Sequence, residues 1–244
     1  MSQPVFDTST FFEIAKGNVP GSSTDFIIAE NPGLAADTPE LIWDQTGAYT
    51  YLTADTQLFV SSSSAADTTQ TLLITGLDDT YTEVQRTVTV NDQSQVAISG
   101  LMFRVHEMVN ISADTLAGDV YLAESDTLTG GVPDTASKIK AKIVQGQEIT
   151  HMGLRTVPAG KTLYVWAVFL TLGKNREAFI SSQIRPEGGV FLKIQQYEAY
   201  QTLANILFTF PFAIEEKSDF QFIAQSSNAG TFVGLSTDMI LQDN

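Results

Sequence analysis

The sequence predicts an all-β protein, an antiparallel β-sandwich of jelly-roll type with an extended N-terminal arm. Period-2 alternation of apolar and polar residues, bounded by Gly, Pro, Asn, Asp and Ser, recurs along most of the 244 residues, while few stretches show a helical period. Ten or more short strand-like runs separated by turn formers are the pattern of a sandwich with two Greek keys. The length suits one large domain or two small ones, since all-β sandwiches commonly reach this size undivided, and it allows a real core.

The elements follow in chain order. In residues 1–50, "GNVPGSS" and "ENPGLAADTPE" place turn formers around the short apolar pieces "DFIIAE" and "LIWD". This segment is expected to be an extended arm and oligomerisation segment, with residues 51–244 as the sandwich body. Its apolar residues Phe11, Phe12, Ile14, Phe26 and Trp43 are the candidate interface. Strands are expected near 25–29, 57–62 and 71–76. In "TEVQRTVTVN", Val84, Val88 and Val90 share one face, and Arg86 interrupts it at a sheet margin. In "FRVHEMVNI", Phe103, Val105, Val109 and Ile111 form the apolar set, so His106 falls on the other face with Arg104 and Asn110. Strands near 118–123 and 148–156 flank "SKIKAKIV", where Ile139, Ala141 and Ile143 alternate with three lysines on a wet face. Pro158 and Gly160 turn the chain into "KTLYVWAVFLTL", apolar on both faces and expected to be a central strand.

Strands follow near 178–184, 190–196, 203–210 and 231–241. Gly188 and Gly189, ahead of Val190, Leu192 and Ile194 at period 2, favour strand over helix there. In "DFQFIAQ", Phe220, Phe222 and Ala224 face the core and Asp219, Gln221 and Gln225 face solvent.

Composition excludes several classes of function. Thirteen Lys and Arg against 28 Asp and Glu give a net charge of −15, so counterion release from a phosphate backbone cannot drive binding and nucleic acid is not an expected partner. Residues 1–100 hold two basic side chains against thirteen acidic ones, a surface suited to solubility or to a basic partner. No cysteine is present, which removes disulfides, thiolate metal sites and cysteine nucleophiles. The first residues lack the basic and apolar regions of a leader, and no apolar run approaches ~20 residues. Synthesis in a cytosol and no membrane partner are the expectation.

No catalytic constellation emerges. Ser61 to Ser64 have neither a nucleophile elbow nor a local base. His106 and His151 have no partner at metal-ligand spacing, so no histidine metal site is expected. Asp78 and Asp79 are the one calcium option, set against an ordinary "GLDD" turn. No cofactor is implied. Tyr49, Tyr51, Tyr81 and Tyr121, near turns or on wet faces, are the residues of an alternative glycan platform.

Five segments, in order, carry a likeness: "FFEIAKGNVPGSS", "IWDQTGAYTYLTADTQLFVSSSSAADT", "ITGLDDTYTEVQRTVTVNDQSQVAISGLMFRVHEM", "VQGQEITHMGLRTVPAGKTLYVWAVF" and "EEKSDFQFIAQSSNAGTFVGLSTDMILQDN". Through them the chain resembles a family of virion structural proteins of tailed bacteriophages, especially marine ones. It departs where the family carries a glycine-rich stretch and this chain has "TTQT". The resemblance implies a non-enzymatic virion component with no catalytic residue. A capsid-associated decoration, vertex or head-fibre protein is favoured over a tail component or a receptor- or glycan-binding module, because an adaptor ring tends to be helical and a long fibre repetitive. The expected partners are copies of the chain, with a trimer as the preferred closed symmetry, and other capsid or tail proteins.

Overall fold

The computed structural model describes residues 8–200 and 204–244. Helix α1 (Thr8–Ala15) precedes β1 (Ser22–Leu34) and the short β2 (Glu40–Leu41). The middle of the chain then forms β3 (Thr56–Ser62), β4 (Thr71–Leu77), β5 (Glu83–Thr89), β6 (Val96–Met102), β7 (Arg104–Asn110) and β8 (Val120–Glu124). The small hairpin β9 (Leu128–Thr129) and β10 (Val132–Pro133) leads to β11 (Ile139–Ile143). The last part supplies β12 (Leu154–Thr156), β13 (Lys161–Leu172), β14 (Glu177–Arg185), β15 (Leu192–Tyr200), β16 (Ala204–Ile214), β17 (Asp219–Gln225) and β18 (Thr231–Asp243).

Strand β1 and the seven strands from β12 onward make one sandwich, with sheets ordered β1-β18-β13-β16 and β12-β17-β14-β15. Counted along the chain, its first strand pairs with the eighth, the second with the seventh, the third with the sixth and the fourth with the fifth, all antiparallel. That is one long hairpin rolled over itself, the eight-stranded jelly roll. Its core is built from the alternating inward residues, among them Ile27, Leu34, Val165, Val168, Phe220, Phe222 and Val233.

Residues between the first and second strands of the jelly roll form a second sandwich, of sheets β11-β8-β3-β6 and β5-β4-β7. It has its own core, including Leu58, Val60, Leu72, Ile74, Met102, Met108 and Leu122. The inserted sandwich lies against β12 through β7, and among the described residues no strand pairs with the outer edges of β15 and β16 on the opposite side of the jelly roll.

The expected arm needs correction over most of its length. Strand β1 registers with β18 from Ser22 to Leu34, and Leu41, Ile42 and Trp43 lie in the cores, so this stretch is part of the body. Ahead of it, α1 lies on the outer face of the β1-β18-β13-β16 sheet, with Phe11 edge-on to Trp166 at 4.5 Å and Ile14 buried. The helix and sheet enclose a cavity of about 450 Å³ lined by Phe11, Ile14, Tyr164, Trp166, Pro211 and Ile240. Residues 1–7 lie outside the described residues.

Three faces expected to be wet are covered. A register shift between Ile139 and Ala141 turns Lys140 inward, where its ammonium donates to the carbonyls of Thr50 and Ser137 and pairs with Glu124 at 2.9 Å. Asp219 and Gln221 on β17, and Arg104 on β7, are buried because the inserted sandwich packs there. Strand β6, with Gly100 at φ 98° and a register break beside it, carries too irregular an alternation to be read from sequence.

Candidate functional site

The uncovered side of the jelly roll is the first candidate. Edge strands expose rows of unpaired backbone donors and acceptors, and natural proteins usually blunt them with charge or cover them. Here the rows carry apolar side chains instead: Val190 and Leu192 at the start of β15 are 71% and 55% exposed, and Leu207 on β16 is 69% exposed. Between Leu207 and Phe212 the chain loops out opposite Trp166, because Val165 registers with Phe212 and Ala167 already with Leu207. Phe208 turns back onto Phe212 with ring centroids 5.2 Å apart, and Phe210 projects into solvent at 85% exposure. Isolated exposed apolar residues are ordinary, but a group of them along adjoining edges marks an interaction surface.

The second candidate is the junction of the two sandwiches. Asp219 on β17 accepts from Arg104 Nε at 2.7 Å, Thr156 Oγ1 at 2.6 Å and Arg185 Nε at 2.9 Å. Burial alone would raise the Asp219 carboxyl, yet the hydrogen bonds and charge of Arg104, with Thr156 and Arg185, hold it below the usual carboxylate range. Arg104 also donates from Nη1 to the Leu52 and Phe103 carbonyls at 2.9 Å. The guanidiniums stack on aromatic faces, Arg104 over Phe103 at 3.8 Å and Arg185 over Tyr51 at 4.4 Å. Every group at this node is paired, and its chemistry is structural.

His106 is half-buried between β7 and β12. Its Nε2 accepts the Thr156 backbone N–H at 3.2 Å, and burial, with Arg155 and Arg104 nearby, pushes its pKa well below the usual value. The sign of the pH effect follows. Between the depressed folded pKa and the ordinary value of about 6.5, the unfolded chain binds more protons, so this residue's contribution is complete above ~6.5 and is lost as pH falls through the folded pKa. A His106→Gln variant is expected to show a flatter rise in urea midpoint between pH 5 and pH 7 than the parent. Parallel profiles would refute the assignment.

The four glycan tyrosines do not share one surface. Tyr81 and Tyr121 are buried in the chain. Tyr49 and Tyr51 are half-buried in an aromatic ladder from Trp43 to Phe191, edge-to-face in its first two steps and tilted in the third, with centroids 5.1, 4.9 and 5.5 Å apart, and burial raises both phenols. Asp78 Oδ1 is taken by the Thr80 and Thr82 backbone N–H groups and the Thr80 hydroxyl, which makes it a turn-holding residue rather than a cation ligand. Asp79 beside it lies in the same turn. Ser62 donates to the buried Asp67, which also accepts from the backbone N–H groups of Ala117 and Gly118, so the serine tract is part of a loop lock. Of the interface candidates, Ile14 and Trp43 are buried within the chain and Phe11 packs on Trp166; Phe12 and Phe26 are exposed.

One cluster escaped the sequence reading. Glu30 on β1, Asp44 after β2 and His151 ahead of β12 bring donor atoms within 4.8 Å of one another. Burial raises the Asp44 carboxyl to about 7, partly offset by the His151 N–H that it accepts at 2.8 Å. Spacings of 14 and 107 residues give no local signal of this convergence.

No protein-family model matches the chain, and no curated protein matches it. Among solved structures, the VP2 subviral particle of infectious bursal disease virus aligns with a TM-score of 0.24 and 10% identity, over 92% of this chain and 73% of that one. The structure of the Gt strain of the same virus aligns at 0.23 and 8%, over 91% and 72%. Both scores are too low for the likeness to bear on fold or function.

Proposed function

We propose that this protein is a non-enzymatic structural component of a tailed-bacteriophage virion, held on the capsid as a decoration, vertex or head-fibre component. It acts by assembling with copies of itself and with other virion proteins. The observation that carries the assembly step is the uncovered β15–β16 side, where Val190, Leu192, Leu207 and Phe210 face solvent beside two unpaired sheet edges. The virion setting rests on the sequence resemblance. An eight-stranded jelly roll is compatible with it, since capsid and lectin domains are both built on that fold, but fold alone does not fix function.

Burying apolar side chains at about 25 cal/mol per Å² makes such a surface strong enough to hold a subunit contact once shape complementarity is met. Charged replacements there are expected to break assembly and spare the fold, because exposed substitutions usually change stability by within about 0.5 kcal/mol. The Leu207→Asp, Phe210→Asp double variant should sediment as a monomer at concentrations where the parent is oligomeric. It should also fail to bind phage particles that lack the protein, with its unfolding midpoint unchanged. A parent chain that stays monomeric at high concentration and does not bind such particles would overturn the proposal. Labelled antibody on intact virions decides between head and tail.

A further inference from the structure

We propose that Glu30, Asp44 and His151 bind one divalent transition-metal cation of the zinc class through Glu30 Oε1, Asp44 Oδ1 and His151 Nδ1, with water completing the shell. The geometry fits before any adjustment of the backbone. His151 Nδ1 lies 3.5 Å from Glu30 Oε1 and 3.8 Å from Asp44 Oδ1. Bonds of about 2.0–2.1 Å in a tetrahedral zinc site place neighbouring donors about 3.3–3.4 Å apart, so small side-chain rotations close the set around an ion.

Two of the three donors are also left over by the rest of the protein. Asp44 Oδ1 and His151 Nδ1 are buried and find no hydrogen-bond partner, although the Asp44 side chain is only 1% exposed. A buried carboxylate oxygen and an imidazole nitrogen facing one another without a partner are costly to keep unless something positive joins them. The second Asp44 oxygen accepts the His151 backbone N–H at 2.8 Å, which orients the carboxylate as outer-shell bonds do at metal sites. The Gln147 amide donates to Glu30 Oε1, and its own Oε1 is a further buried atom with no partner. Lys142, whose charge reaches Asp44, is engaged by Asp119 at 3.0 Å and so has its own counter-charge.

The frame around the donors is rigid. Asp44 N–H donates to the His151 carbonyl at 3.1 Å, Met152 N–H to the Ile28 carbonyl at 3.0 Å, and Gly153 N–H to the Ile42 carbonyl at 2.7 Å. The site therefore ties together the first jelly-roll strand, the segment leading into the inserted sandwich and the segment returning from it. A bound ion would staple the insertion to the jelly roll at its base. Mixed nitrogen and oxygen donors, few in number, select a zinc-like ion over calcium, which takes six to eight oxygens, and over magnesium, which keeps most of its waters.

The test uses the full chain, stripped by dialysis against a chelator and titrated with Zn²⁺ by calorimetry and with Co²⁺ by visible absorption. Expected are one ion per chain, the d–d bands of a four-coordinate cobalt site, and a rise in Tm of roughly 5 °C or more at hundredfold excess over Kd. Mg²⁺ and Ca²⁺ should give neither bands nor a comparable rise. His151→Ala should lose the stoichiometric binding and the cobalt bands. Glu30→Gln, at a side chain 27% exposed and so expected to fold, should weaken binding tenfold or more. No saturable zinc binding by the parent, or binding retained in His151→Ala, would overturn the proposal; retained binding would assign the ions to the acidic surface.

Discussion

Replacing Arg104 by alanine is expected to destabilise the protein by about 3–5 kcal/mol, the cost of leaving a buried charge without its partner. The side chains of Arg104 and Asp219 are 7% and 4% exposed and meet through two nitrogens, at 2.7 and 3.2 Å. Removing the arginine strands the Asp219 carboxylate with only Arg185 and Thr156, and frees the Leu52 carbonyl at the base of the insertion. Arg104→Lys should recover little, because an ammonium cannot span both carboxylate oxygens or stack on Phe103. The effect is measurable as a fall in the denaturant midpoint, and as earlier loss of structure in the inserted sandwich by hydrogen exchange. In the Arg104→Met, Asp219→Leu double variant the loss should be smaller than in either single variant, since the one charge that loses its partner, Arg185, is 25% exposed and can turn to solvent. Equal losses in all three would mean that the pair adds nothing beyond packing. The parent should also lose stability in acid: the folded pKa of Asp219 is depressed, so its contribution is present above about pH 3.9 and disappears as pH falls through the folded value.

Gly76→Ala is expected to cost at least about 3 kcal/mol and to prevent the inserted sandwich from closing. A Cβ at this position would sit 1.9 Å from the Arg104 carbonyl oxygen and 2.6 Å from Met102 Cε. The first contact is backbone in the neighbouring strand and cannot swing away. The pairing of β4 with β7 shifts register between Thr75 and Gly76, and the close approach belongs to that irregularity. Gly146→Ala is the control: its φ is 86° but nothing lies within 4 Å of the added atom. That variant should lose only about 1–3 kcal/mol from backbone strain and still fold. Well-folded Gly76→Ala protein with parental stability would show that β4 and β7 do not approach as closely as described.

The strand faces were largely legible in the sequence. Val88 and Val90 point inward with Leu72 and Ile74, and Phe220, Phe222 and Ala224 line the jelly-roll core as their alternation requires. What alternation does not carry is the identity of whatever covers the other face. Lys140, Arg104 and Asp219 are polar residues at positions that period 2 assigns to solvent, and each is enclosed because the inserted sandwich or a strand irregularity closes over it. The polar side chains satisfy one another there, so they read as surface in sequence and act as glue in the fold. Residues 22–34 illustrate the same limit: a strand is legible near 25–29, but its partner β18 lies some two hundred residues along the chain, and no local pattern announces that pairing.

By itself the sequence determined the all-β class, the inward residues of most strands, the absence of thiol chemistry and the lack of a local catalytic motif. These follow from composition and from interactions within a few residues. The tertiary structure alone decided that one jelly roll carries a second sandwich between its first and second strands, that β15 and β16 are left uncovered, and that Glu30, Asp44 and His151 meet. Those outcomes depend on which distant strands pair, and pairing is settled by the joint burial of many faces at once rather than by any one segment's own preference.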